Sequence, residues 1–224
     1  MNVFLCVKIT IFEDFLYIYI MRILNYICII LIIFERIFRN MYYAGIGSRK
    51  TPKEVFEAFE YLGAELAKRG FILRSGGADG ADSAFEKGCD KVAGEKEIYL
   101  PWKGFNKNSS PLHIITNEAE KCAAYYHPRY YQLSGPAQKL IARDGYQVLG
   151  ADLQTPSSFI ICYTENGSGS GGTGQALRIA KHYDIKVCDF GRFPKERAFE
   201  YAKKVLEVID KDLFKTKKQE DYER

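Results

Sequence analysis

The sequence predicts an α/β fold, Rossmann-like, with a mostly parallel sheet covered by helices on both faces. Three observations carry this. Short apolar runs end in glycine turns at "YYAGIG" and "FILRSGG", and a third, "SSFIICYT", leads on to "GGTG". Each of these turns is followed by residues with helical apolar spacing, and the strand-turn-helix unit recurs along the chain, as parallel crossovers require.

The elements follow in order. "YYAGIG" is a short buried strand. Thr51-Pro52-Lys53-Glu54 then has the pattern of an N-cap, a proline at N1 and a glutamate at N3, and Val55, Phe59, Leu62 and Leu66 share one helical face up to Gly70. "FIL" from Phe71 is the next strand, Gly76-Gly77 its turn, and Asp79 or Asp82 opens a helix whose Ala81, Ala84, Phe85 and Gly88 share a face. "KEIYLPW" is a third strand, stopped by Pro101, with a loop over 103–112 and a short helix from Thr116 to Tyr125. Residues 126–157 read as helix and loop in no definite order. "SSFIICYT" is the clearest buried strand. "GGTGQALRIAKHYD" turns into a helix, "IKVCDF" is a further strand, and Lys195 to Phe214 form a last amphipathic helix.

The 224 residues suit one domain with some extra. We divide them into a hydrophobic extension, 1–40, a Rossmann-like domain, 41–214, and a charged tail, 215–224. The extension is crowded with Ile, Phe, Leu and Tyr. Its longest apolar run, Ile23 to Phe34, lies between Arg22 and Glu35 and is short for a span of about 20 residues. All three methionines lie at or before Met41, which favours reading 1–40 as upstream translation or a dispensable segment over a membrane-associated or packed helix. A net charge of +4 does not by itself demand nucleic acid. Six cysteines with no C-x-x-C and three scattered histidines, His113, His127 and His182, suggest free thiols in a reducing cytoplasm and no metal site.

The glycines raise the chemical question. In an open parallel sheet, ligands bind beyond the carboxyl ends of the strands, where glycines admit an anion to backbone N–H groups and to the positive ends of helices. Three turns carry that equipment: Gly45-Ile46-Gly47-Ser48-Arg49, Ser75-Gly76-Gly77-Ala78-Asp79, and Gly171-Gly172-Thr173-Gly174. One glycine turn is weak evidence. If the three strands are neighbours, the turns converge on one cleft. Gly169, Gly171 and Gly174 also fit a dinucleotide fingerprint, with Asp189 where a ribose-binding acid sits, although this turn comes late in the chain. A Walker A loop is excluded, because Arg49 stands where its last glycine belongs before Lys50-Thr51.

With "AGIGSR" (44–49), "LRSGGADGADSAFEKG" (73–88), "EIYLPW" (97–102), "DLQTPSSFIICYT" (152–164) and "GGTGQALRIA" (171–180) together, the sequence resembles the DprA/Smf and LOG (lysine-decarboxylase-like) superfamily. It is most similar to phage-type DprA-like DNA recombination-mediator proteins. The resemblance implies a nucleotide or nucleic-acid phosphate at the glycine turns, no cofactor, and a homodimer or higher homo-oligomer. LOG enzymes remove the base from nucleoside monophosphates with a P-G-G-x-G-T-x-x-E motif. Here Gln175 takes the threonine position and Leu177-Arg178 stand where the glutamate belongs, which leaves Glu165, Asp79 or Asp82 to substitute. DprA protects single-stranded DNA. Arg49, Lys50, Arg74, Trp102, Tyr125, Tyr126, Arg129 and Tyr130 are candidates for such a groove, and a solvated face over core aromatics fits them as well.

The expected function is therefore DprA-like binding of a nucleotide-type ligand, either DNA or a nucleotide signal, in a glycine-lined cleft. Ser75, Gly76, Gly77, Gly171, Gly172, Thr173 and Gly174 are expected to cradle phosphate, with Gly45, Gly47, Ala78 and Gln175 in the same turns. Ser48 and Arg49 add a hydroxyl and a charge, and Asp79 or Asp82 hydrogen-bonds a ribose or base. No catalytic residue is assigned. The alternative is a LOG-like phosphoribohydrolase.

Overall fold

The structure is a computed structural model that describes residues 42–169 and 171–222, with side chains to Asp212, and Arg22 by itself. The expectations for residues 1–40 lie outside the described residues. Among those described, no helix is long and apolar enough to cross a membrane.

Five strands form one parallel sheet: β1 Tyr42–Gly47, β2 Ile72–Ser75, β3 Lys96–Ile98, β4 Phe159–Tyr163 and β5 Lys186–Asp189. Their order is β3-β2-β1-β4-β5. The chain builds outward from β1 to β3 and then returns to lay β4 on the other side of β1. The strand order therefore reverses between β1 and β4, where Gly47 pairs with Tyr163.

The helices are α1 Lys53–Lys68, α2 Ala81–Asp90, α3 Asn117–Tyr126, α4 Gly135–Leu149, α5 Thr173–His182 and α6 Ala198–Tyr222. Alternation along β1 sorts them into two layers. Tyr43 joins a core with Phe59 of α1, Phe85 of α2 and Leu206 of α6, whereas Ala44 and Ile46 join one with Leu149 of α4 and Ile179 of α5. Gly45 shares the Tyr43 face. A Cβ there would stand 2.6 Å from the Phe85 ring, so glycine lets α2 settle on the central strand. Cys89 and Cys162 are buried and Cys122 and Cys188 half-buried, all as free thiols.

The start of α1 differs from the expected capping box. Pro52 is the N-cap residue, and the Thr51 hydroxyl donates to Ser48 O at 2.6 Å, tying the preceding turn instead of the helix end. At the other end Gly70, with φ +83, donates to Ala67 O while Phe71 donates to Leu66 O, the paired bonds of a Schellman stop. The undetermined stretch 126–157 resolves into a 3-10 turn at Tyr130–Gln132 and the long helix α4. Helix α6 runs on to Tyr222, through most of the segment expected as a tail.

Candidate functional site

A cleft of about 910 Å³ opens at the β1/β4 reversal. Its lining mixes three chemistries. Arg49, Lys50, Arg129, Arg143 and Arg178 supply positive charge against Asp82, Asp144 and Glu165, so cations exceed acids by two, five against three. Leu133, Ala137, Leu140 and Ile141, leading into and along α4, supply an apolar wall. The size suits a small-molecule ligand.

Beneath the cations lies a buried polar cluster built from α2 and α4. Asp82 accepts from Gly47 N–H at 3.1 Å and from Ala78 N–H at 3.4 Å, so one carboxylate ties together the turns after β1 and β2. Arg143 Nη1 donates to Gly76 O at 2.6 Å and stands 3.6 Å from Asp82 Oδ2; its Nε stands 3.4 Å from Asp144 Oδ1. With its amide oriented to satisfy both ends, Gln147 accepts from Gly76 N–H at 2.8 Å and donates to Asp144 Oδ1 at 3.0 Å. Asp144 Oδ2 and Arg143 Nε remain buried without a hydrogen-bond partner. Burial pushes the Asp82 carboxyl up to about 6 against the pull of Arg143 and the backbone donors. It pushes Asp144 up to about 7, with Arg143 opposing and Asp82 adding to the rise.

The expected site residues divide between the lining and its support. Gly47, Ser48, Arg49, Ala78, Asp82, Gly171, Gly172 and Thr173 line the cleft. Ser75 is fully buried and donates its hydroxyl to Gly45 O at 2.6 Å, while Gly76 has both backbone polar groups taken by Gln147 and Arg143. Gly77 adopts φ +63, with its carbonyl accepting from Asn106, whose amide also donates to Asp79 at 2.8 Å. Gly174 packs on the Gly169 carbonyl. At Gly172, by contrast, the backbone is helical and nothing lies within 4 Å of where a Cβ would stand. Packing does not require glycine there; its absence of a side chain leaves room in the cleft.

Gln175 serves as a brace. Fully buried, it donates to Ala123 O at 3.2 Å and accepts from Arg178 Nη2 at 2.8 Å, while Arg178 Nε donates to Tyr126 O at 2.7 Å. Arg178 is thus held half-buried by two neutral acceptors. Burial lowers its pKa, and Asp144 exerts the opposing pull. Asp189, the candidate ribose acid, is committed elsewhere: it accepts from Thr164 N–H and Gly191 N–H, each at 2.9 Å, and from the Thr164 hydroxyl. That clamp shapes the loop after β4, where Gly169 N–H donates to Thr164 Oγ1.

Of the candidates for a nucleic-acid groove, Arg49, Lys50 and Arg129 line the cleft. Arg74 is buried, paired with Glu97 at 2.7 Å and stacked on Tyr42, and Tyr130 is buried too. Tyr125 is exposed and Trp102 partly so, Tyr126 is half-buried, and none of these three lines the cleft. The sequence reading missed Arg143, Asp144 and Gln147. Their signal was present, because "IARDGYQVL" sets a charged pair inside an apolar run, and every residue from Ile141 to Leu149 proves buried. No group of residues suited to a metal ion occurs among the described residues.

Fold and site together define an open α/β protein with a polar, cation-rich cleft at the reversal of strand order. No protein family and no curated protein matches the sequence. Among solved structures, the chain is similar to DNA processing protein A from Helicobacter pylori, described for its single-stranded DNA binding mode, at 19% identity and a TM-score of 0.44 over 66% of this chain. It spans 64% of that protein's length. It is also similar to a molybdenum cofactor binding protein from Rippkaea orientalis, at 17% identity and a TM-score of 0.33 over 75% of this chain and 98% of that one.

Proposed function

We propose that the protein is a DprA-like binder of a nucleotide-type ligand, held by its phosphate in the β1/β4 cleft. The observation that carries this reading is Arg178, a half-buried cation in the cleft whose hydrogen-bond partners are the Tyr126 carbonyl and the Gln175 amide, both neutral. Buried cations are normally paired with anions. A ligand phosphate supplies a hydrogen-bonding anion that Arg178 lacks, beyond the electrostatic pull of Asp144, and Arg49, Lys50 and Arg129 add positive charge around it. The exposed Gly171-Gly172 turn at the start of α5 gives that phosphate clearance beside a positive helix end.

Thermal denaturation with added nucleotides tests the reading. A ligand at about 100 times its Kd stabilises by about 2.7 kcal/mol, a rise of roughly 5–10 °C for a chain of this size. Arg178→Ala should abolish that rise. If no mononucleotide or oligonucleotide shifts the transition, the reading fails. Steep loss of affinity with salt favours the polynucleotide form, since each phosphate contact to a single strand adds about 0.7 to the logarithmic slope.

A phosphoribohydrolase is the second reading, and Asp82 and Asp144 favour it. Carboxyls raised to about 6 and about 7 beside a cleft are placed to exchange protons near neutral pH. Release of free base from nucleoside monophosphates, followed by chromatography, decides it.

A further inference from the structure

Within the nucleotide-binding reading, on which this inference rests, the floor of the cleft has chemistry that phosphate does not explain. Asp144 is 4% exposed and Arg143 7%, both line the cleft, and Asp144 Oδ2 and Arg143 Nε lack hydrogen-bond partners. Buried polar atoms are nearly always satisfied, so each unpartnered one calls for a donor or acceptor from outside the chain. A phosphate dianion has only acceptors and would face Asp144 with like charge. A hydroxyl both donates and accepts, so one sugar hydroxyl serves Asp144 Oδ2 as donor and Arg143 Nε as acceptor.

Arg178 and Asp144 line the same cleft, so it offers both a cation for phosphate and an acid for hydroxyl. A nucleoside 5′-phosphate carries those two groups on one ribose, whereas a deoxyribose, free or within a DNA strand, lacks the 2′-hydroxyl. The remaining part, the base, finds the apolar wall of Leu133, Ala137, Leu140 and Ile141. We infer that Asp144, together with Arg143, reads the ribose 2′-hydroxyl while Arg178 holds the phosphate, so that the ligand class is a ribonucleotide and DNA is discriminated against.

Titration calorimetry of the full chain with adenosine, 2′-deoxyadenosine and inosine 5′-monophosphates tests this. The expected result is that adenosine monophosphate binds about tenfold or more tighter than its deoxy form, with inosine monophosphate matching adenosine monophosphate. In Asp144→Leu the ribo-to-deoxy ratio falls toward one. Asp144→Asn, which keeps the packing, lowers the same ratio and serves if the leucine variant does not fold. Equal affinity for the ribo and deoxy forms overturns the inference and leaves the binding reading standing. So does an inosine monophosphate that binds as weakly as the deoxy form, since Asp144 would then read the amino group of the base. If none of the three binds but a deoxyoligonucleotide does, the ribonucleotide assignment is wrong. If nothing binds, the nucleotide reading itself has failed.

Discussion

Arg143 donates through Nη1 to the carbonyl oxygen of Gly76 at 2.6 Å, joining α4 to the glycine turn after β2. The Gly76 backbone is thereby occupied from within the protein. A Cβ at this position would run into the Arg143 guanidinium and stand 2.5 Å from the Gln147 amide. Glycine is needed here for an arginine, before any ligand is considered.

Gly76→Ala should therefore act through Arg143. Forcing a methyl group into this space costs about 1–3 kcal/mol. The variant should melt several degrees lower and bind nucleotide more weakly, by denaturation and titration respectively. A variant with unchanged melting and unchanged binding would show that Arg143 relocates freely.

The buried acids predict an unusual pH dependence. Asp82 and Asp144 are raised to about 6 and about 7, whereas an aspartate in an unfolded chain titrates near 4. Between those values the folded chain holds more protons than the unfolded one, so this contribution to stability is complete below about pH 4 and is lost as pH rises through 6 to 7. The melting temperature should be higher at about pH 5.5 than at about pH 8, and Asp144→Asn should flatten the difference. Below about pH 4 the lowered acids Glu60, Glu65 and Asp210, each paired with Lys or Arg, reverse the trend.

Gln175→Leu removes the amide that fixes Arg178 while keeping a side chain of similar bulk. Ligand affinity should fall by about tenfold, equivalent to about 1.4 kcal/mol. Calorimetry should also show a weaker salt dependence, as expected of a loosened cation. Full affinity in this variant would remove Gln175 from the positioning of Arg178.

Asp189→Ala tests the clamp beneath the β4 loop. It deletes acceptors for Thr164 and Gly191, and hydrogen bonds to a charged group contribute about 1.5–3 kcal/mol each. Stability should drop by at least that amount in urea unfolding. Hydrogen exchange should quicken at Thr164, Gly169 and Gly191 ahead of the α1/α2 core.

Much of the fold was legible because it rests on local rules. The apolar runs 42–47 and 159–163, the glycines closing them and the helical spacing of Val55, Phe59, Leu62 and Leu66 are statements about near neighbours in sequence. Helix α4 was not legible in this way. It is buried from Ile141 to Leu149, so its polar residues do not sort into a solvent face, and the periodicity that marks α1 is blurred.

From the sequence alone came the strand-turn-helix repeat and the location of its glycine turns; the adjacency of β2, β1 and β4 was a condition that the strand order then met. What only the tertiary structure decided is which glycines face open space and which make room for the protein itself. Gly172 stands clear, while Gly45 admits Phe85 and Gly76 admits Arg143. The same holds for the acids: Asp189 is committed to Thr164, and Asp144, far from any glycine motif, lines the cleft with one oxygen unpartnered. The reason is physical. A turn's backbone shape is set by its own few residues, but whether its polar groups are free depends on side chains brought from far along the chain, as Arg143 and Gln147 are brought to Gly76.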